Sequence, residues 1–575
     1  MAQFKVDFRD HFFNLFELLN CQQYSKQFSE SELKETFSEF VKFVTNEIYP
    51  TRTVSDLEGV KLEGGRVKVA PCLHKPMRLF YENGWFGLGI SEKFGGIPVP
   101  ISFLISCVST ENSANVAFTI YHWLARSASN VIIRIGSENQ KQFVIPKMNS
   151  GEWGGTMCLT EPNAGSDVGA LTTMATPISG VPRKYKLKGS KIFISGGDND
   201  LYQNIVHLVL ARTPGAPAGS KGLSLFTVSQ YKILDNGSLG DWNNVSCNKI
   251  EEKMGIHSSA TCELLFGQDG ECEGELLGEL NEGMANMFYM MNEARLLCAL
   301  QGEGQGYLAY TLSEQYANER QQFGTEIANH PDIKRTLKNM RALSRGLRAL
   351  CLYTGHQFDV EYREKKHDSA KSKAAEIEVG LLTPICKAYG TDEGFNMAVD
   401  AVQIHGGYGF CSDYGIELIV RDTKIGSIYE GTNGIQALDF LTRKILKDNG
   451  VGYMGLLSKI EKTVSGCKEW RSECALMVES LGDVKKLMKI FQEKLVQKKS
   501  NEVFYHATDF LKFNSHLVVA WRLLESAILA AEKLNMGMAT LPITEQEFYH
   551  SKIEDFQTYV KVFLAKNRAL FYTMS

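Results

Sequence analysis

No run of about 18 apolar residues occurs in the sequence, so it offers no candidate for a membrane-spanning helix. No CxxC pair and no close Cys/His cluster occurs either, although there are 13 cysteines. An odd, scattered set of thiols excludes a disulfide frame or a zinc finger and fits a reducing compartment. Neither sign of charge dominates: 62 Lys and Arg stand against 66 Asp and Glu, a net charge of −4. That excludes a global polyanion-binding signature. The opening residues, "MAQFKVDFRDHFF", hold no long apolar core and already carry Asp7 and Asp10. Neither a secretory signal nor a basic transit peptide is expected there, and the expected location is cytoplasmic. Also missing are a P-loop string, a G-x-S-x-G elbow and any internal repeat.

What is present is enough apolar residue, 44% of 575, for three or four domains with their own cores. Residues 29–49, "SESELKETFSEFVKFVTNEIY", set apolar residues at helical spacing behind a serine cap. Residues 74–96 predict a helix that breaks at Gly84 and a loop ending in Gly95-Gly96, and 101–148 hold two or three more helical runs. Near residue 156 the pattern changes. "KYKLKGSKIFISGG", "NIVHLVLAR" and "GLSLFTV" are short β-branched and aromatic runs, with a surface loop at 211–222. From 282 the helical period returns and continues through 330–366, 372–405 and 432–447. A glycine-containing break at 447–455 precedes a last amphipathic region. The expected fold is mainly α with a central β domain. Its parts are an N-terminal extension (1–30), a helical domain (31–155), a β-barrel-like middle domain (156–280), a four-helix-bundle domain (281–447) and a C-terminal helical domain (448–575). Strands and helices do not alternate, so a doubly wound sheet is excluded.

Some strings imitate other functions. "GEGQG" (302–306) lies inside a helical run with its third glycine misplaced for a dinucleotide fingerprint, and reads as small residues permitting close helix packing. "GGDND" (196–200) lacks the spacing of a calcium loop. His405 has no metal-ligand partner nearby in sequence.

One stretch, "SIYEGTNGIQ" (427–436), sets a lone carboxylate, Glu430, among Ile425, Ile428, Ile435 and Leu438, with no basic residue within three positions. In isolation it also reads as a surface glutamate in a loop. Three other stretches change that: "MCLTEPNAGSDVG" (157–169), "KIFISGGD" (191–198), and "ERQQFG" (319–324) with "QIHGGYGF" (403–410). With Glu430 and the domain order, they resemble the acyl-CoA dehydrogenase family over roughly residues 30–447. The extension and the C-terminal helices resemble the branch that includes 3-methylmercaptopropionyl-CoA dehydrogenase.

The resemblance implies an FAD-dependent enzyme that oxidises an acyl-CoA thioester to the trans-2-enoyl-CoA. It implies an electron-transfer flavoprotein as acceptor and a homodimer, without nucleic acid as a partner. Glu430 is then the catalytic base. FAD-binding falls to Met157, Leu159, Thr160, Ser166, Phe193, Ser195, Arg320, Phe323, Gln403, Gly406, Gly407, Thr432 and Asn433. Substrate contacts fall to Ser166, Asn292, Arg295, Tyr429 and Gly431; Asn292 departs from the acidic residue common at that position. Independently of the resemblance, Gly and small polar residues at 160–169 suit a pyrophosphate. Strand alternation places Phe193 and Ser195 on one face. Arg320 and Phe323, three apart at a helix end, share a face, and an arginine fork matches a pyrophosphate. Apolar walls would raise the basicity Glu430 needs to take an α proton. An acyl-CoA oxidase shares these motifs. A DNA-binding relative on the same fold would need a dense basic surface, and acids are interspersed among the lysines after residue 450.

Overall fold

The computed structural model describes residues 3–537 and 540–575; the side chains of residues 288–292, Asn292 among them, lie outside the described residues. The chain forms two compact units. One comprises Met1–Val41, Pro100–Ser113 and Arg295–Ser575, the other Lys42–Val99 and Ala114–Ala294.

The second unit is built on an eight-stranded sheet. Its order runs Val245–Ile250, Thr261–Phe266, Lys184–Ser195, Cys272–Leu277, Leu223–Ser229, Asn204–Arg212 and Trp153–Cys158. Met174–Pro177 pairs with both Lys184–Ser195 and Asn204–Arg212, which closes part of the sheet into a ring. The strand "NIVHLVLAR" is apolar on both faces because it is buried on both. Helices Val116–Ile135 and Glu138–Asn149 cover the sheet at Trp153, Leu208 and Leu225 through Ile132, Val144 and Met148. The second of these helices starts with a capping box, Ser137 and Gln140 each bonding the other's backbone N–H. A small hairpin, Lys61–Glu63 with Arg66–Lys68, lies in a region read from sequence as helical; its turn is Gly64-Gly65, both with positive φ.

The first unit is helical. The serine cap expected before "ESELKETF" is there: Ser29 Oγ accepts from the Glu32 N–H, and the Glu32 carboxylate accepts from the Ser29 N–H. The long helices are Gly283–Glu319 (from residue 295 onward in this unit), Pro331–Glu364, Ser369–His405 and Ala507–Gly537. "GEGQG" does what small residues in a helix do. A Cβ at Gly302 would collide with the carbonyl oxygen of Gly390, and one at Gly306 would meet Met397 and the Gly394 backbone, so the two helices touch backbone to backbone. The break expected at 447–455 is shorter. Asn449 and Gly450 are left-handed, and the helix Val451–Gly466 already contains Gly452 and Gly455.

A buried charge network binds the N-terminal segment to this unit. Asp10 takes Lys552 and, at 2.9 Å, Arg348. Arg345 bridges Asp7 at 3.0 Å and Asp555 at 2.9 Å. Asp10, Arg348, Lys552 and Asp555 are all buried. Paired in this way each charge has its partners, and removing one leaves the others uncompensated.

Candidate active site

In the first unit, the chain from Lys424 makes a turn, Lys424–Ser427, and reaches Glu430 with φ +54 and Gly431 with φ +81. Two left-handed residues in succession reverse the chain into helix Asn433–Asp439. Thr432 caps that helix by accepting from the Ile435 N–H at 3.2 Å. A left-handed glutamate is strained, of order 1–3 kcal/mol, and persists only where neighbours over-determine it. Here they do. Gln436 Nε2 donates to the carbonyls of Glu430 and Gly431, both at 3.1 Å. Lys387 Nζ donates to the Gly431 carbonyl and to Asn433 Oδ1, both at 2.8 Å. Asn433 Nδ2 in turn donates to Thr391 Oγ1 at 3.1 Å and Asp392 Oδ1 at 2.8 Å.

The Glu430 carboxylate is the exception in this network. Half-buried, it makes no hydrogen bond or ion pair among the described residues, and its backbone N–H donates to no acceptor among them. Desolvation pushes its carboxyl above the ordinary value, against the opposing pull of Lys387 and Arg295. Around it, the Tyr429 hydroxyl donates to Gln301 Oε1. Cys298 is buried, its thiol pushed up to about 12, chiefly by desolvation and then by Glu430. Arg295, expected beside a substrate, is buried and spends its charge on Asp439 at 2.7 Å.

Elsewhere in this unit, the helix Gly283–Glu319 ends before Arg320, and a two-residue hairpin follows, Gln321–Gln322 with Thr325–Glu326. Arg320 and Phe323 therefore do not share a helix face as expected. Phe323 (φ +55) and Gly324 (φ +80) are the hairpin's central residues, the pattern of a tight type I′ turn, and the Phe323 ring is 96% exposed. Arg320 is exposed, pairs with no carboxylate among the described residues, and lies 5.5 Å from the Tyr408 ring. Helix Ser369–His405 stops at Gly406 (φ +61). Gln403, Gly406 and Gly407 are exposed, and a Cβ at either glycine would meet nothing within 4 Å. His405 stacks on Tyr316 with ring centroids 4.3 Å apart.

In the second unit, strand Trp153–Cys158 carries Met157 and leads through Leu159 and Thr160 into the polar loop. That loop hangs on one buried ion pair the sequence reading did not single out. Glu161 accepts from the N–H and hydroxyl groups of Thr172 and Thr173, and from Lys191 Nζ at 2.9 Å. Lys191 also donates to the Leu159 carbonyl at 2.9 Å. These donors hold the Glu161 carboxyl at about 2, below its ordinary value and against its desolvation. With the ends clamped, Gly165 and Ser166 stay exposed. The Ile192 N–H donates to the Thr160 carbonyl at 2.9 Å, tying the loop to the strand Lys184–Ser195.

That strand is not regular. Cys262 pairs with Ile194 but Leu264 with Lys191, so two residues, 192 and 193, oppose one, Glu263. The bulge falls on Phe193 (φ +58), whose ring stands 60% exposed, while Ser195 is half-buried. Strict alternation, on which Phe193 and Ser195 were expected to share a face, does not hold across it.

Within the second unit, the exposed Phe193 ring at its bulge and the open loop of hydroxyl and backbone donors suit the edge and pyrophosphate of a flavin dinucleotide. Within the first, an arginine paired with no carboxylate among the described residues and a glycine turn open to close approach suit a pyrophosphate. Sequence reading missed Lys387, Gln436 and the Glu161–Lys191 pair. For Lys387 a signal existed: a single charge in the apolar helical run "LLTPICKAYG".

Comparison with known proteins gives the class. Models of the acyl-CoA dehydrogenase N-terminal, middle and C-terminal domains match residues 30–152, 156–268 and 281–445. A model described as acetyl-CoA dehydrogenase C-terminal like matches 456–575. The broad-specificity linear acyl-CoA dehydrogenase FadE5 of Mycobacterium tuberculosis is 33% identical over 99% of this chain and 96% of its own length. The 3-methylmercaptopropionyl-CoA dehydrogenase of Ruegeria pomeroyi is 33% identical over 92% and 90%. An acyl-CoA dehydrogenase from Bacillus anthracis, solved in complex with FAD, superposes with a TM-score of 0.77 at 23% identity, over 96% of this chain and 90% of that one. The chain belongs to the acyl-CoA dehydrogenase family, with an additional C-terminal helical domain. It is an FAD-dependent oxidoreductase.

Proposed function

We propose that the chain oxidises the Cα–Cβ bond of an acyl-CoA to the trans-2-enoyl-CoA, with Glu430 as the base. The observation that carries this is the carboxylate without a partner: desolvated, held in a strained backbone by every neighbour, and bonded to none of them among the described residues. Glu430 takes the α proton of the thioester onto a carboxyl oxygen. Its pKa, raised by desolvation, brings it nearer to that of so weak an acid. The free N–H of Glu430 is a donor for the thioester oxygen as charge develops there. Gly431 lets the chain pass close under the substrate, Tyr429 walls the acyl pocket, and Arg295, through Asp439, braces the helix behind it. FAD, when bound, supplies the acceptor for the hydride that leaves Cβ. Met157, Leu159, Thr160, Ser166, Phe193 and Ser195 would hold it, with Thr432 and Asn433 near it; Ser166 would also meet the acyl-CoA. Arg320, Phe323, Gln403, Gly406 and Gly407 would reach the cofactor of a second copy, which makes the enzyme a homodimer.

The domain limits proposed are 31–155, 156–280, 281–447 and 448–575. Electrons pass on to an electron-transfer flavoprotein, in the cytoplasm. The substrate is 3-methylmercaptopropionyl-CoA or a fatty acyl-CoA, the former drawing support from the relative of that name. Anaerobic titration of the yellow protein with an acyl-CoA panel tests this. Bleaching of the flavin band by one chain class supports the reading and names the substrate, and no bleaching by any thioester sinks it.

A further inference from the structure

The helix Ser369–His405 carries Lys387, 0% exposed, beneath the Glu430 loop. A buried ammonium is costly, and an apolar side chain of similar length would suit a helix core better. Both of its hydrogen-bond acceptors belong to the loop that carries the base: the Gly431 carbonyl and Asn433 Oδ1. One turn on, Thr391 accepts from the Nδ2 of the same asparagine. Two successive turns of one helix thus hold the segment immediately after Glu430. Lys387 forms no ion pair among the described residues, so no single carboxylate neutralises it.

The charges facing this spot can be named. Helix Gly283–Glu319 contributes Arg295, paired to Asp439, and the neutral thiol of Cys298. Helix Ser369–His405 contributes Asp392, which accepts from Asn433. The loop contributes Tyr429 and Glu430. Of the two cations that pull against the rise of Glu430, Lys387 acts more strongly than Arg295, whose charge is also spent on Asp439. Burial lowers the lysine's pKa against the pull of the Glu430 and Asp392 carboxylates, and the lysine restrains the rise of Glu430.

We propose that Lys387 is a positioning residue for the base: its ammonium pins the Gly431 carbonyl and Asn433, fixing the left-handed turn at Glu430, and sets one positive charge beside the carboxylate. The proposal rests on the reading of Glu430 as the base. The cation opposes the rise of the Glu430 carboxyl in its desolvated site, and the two bonds hold the backbone that follows it.

The test compares Lys387→Met, Lys387→Gln and Lys387→Arg, each purified with its flavin, by the pH profile of kcat/KM with the fastest-bleaching acyl-CoA of the panel and by hydrogen exchange of the Ile435 and Gln436 amides, which donate to Thr432. Loss of the cation in the Met and Gln variants should cut kcat/KM about tenfold or more at neutral pH. It should also move the acidic limb to higher pH by about half a unit or more. Lys387→Arg, which keeps the charge, should leave the limb in place. Exchange at Ile435 and Gln436 should quicken, more in Met than in Gln, which retains a donor. An unmoved limb with unchanged exchange contradicts the proposal. Failure of both uncharged variants to fold or take up FAD also contradicts it, because the lysine would then be a residue of the core. Glu430→Gln in the same series separates the two readings: if that variant still bleaches with substrate, the assignment of the base fails, whatever the lysine variants do.

Discussion

Glu430 illustrates a general trade at the scale of a residue. A carboxyl whose folded-state pKa lies above its unfolded one binds its proton more tightly when folded, so folding loses stability as pH rises through that interval and stays penalised at neutral pH. Glu430→Gln should therefore melt at the same temperature as the parent or higher, by thermal denaturation, while losing activity; a lower melting temperature would mean that the carboxylate has a stabilising partner. In the parent, kcat/KM should rise with pH along an acidic limb lying above the ordinary glutamate range, because the ionised form is the active one. The ten residues around Glu430 show a carboxylate, a glycine and apolar flanks, but in isolation they also read as a surface loop, and only the three other stretches single that glutamate out. Lys387 was not legible, since nothing in a helix 43 positions earlier says which loop it bonds (387 against 430).

At the scale of elements, the helical period, the β block and the meaning of "GEGQG" could be read directly, since each follows from spacing within one segment. What could not be read were the irregularities: the bulge at Phe193, the hairpin at Phe323-Gly324 and the small hairpin at Gly64-Gly65. A bulge depends on the partner strand's register, which the strand itself does not encode. Two predictions belong here. Gly302→Ala should destabilise the helical unit by about 1–3 kcal/mol in denaturant titration, because the added methyl meets the backbone of Gly390 rather than a side chain that can move. Lys191→Met strands the buried Glu161 and should cost about 3–5 kcal/mol, with loss of flavin uptake as the loop around Ser166 loosens.

For the molecule as a whole, the N-terminal extension reads in sequence as an appendage, yet Asp7 and Asp10 tie it to the helices Pro331–Glu364 and Ile543–Val562. The partners lie more than 300 residues away in sequence, |i−j| of 338 for both arginine bonds, beyond any local pattern. Lys552 and Arg348 hold the Asp10 carboxyl well below the usual carboxylate range despite its desolvation. Its depressed pKa makes its contribution present above the unfolded value and lost as pH falls below it. Asp10→Asn should thus lower stability at neutral pH by about 3 kcal/mol and flatten the acid limb of the stability curve. The role proposed for the partnerless carboxylate of Glu430 is tested most directly by an anaerobic titration of purified Glu430→Gln with the acyl-CoA that bleaches the parent. The variant should be a yellow protein that keeps its flavin and binds the thioester but is not bleached; bleaching at a rate near the parent's would remove Glu430 from the role of base.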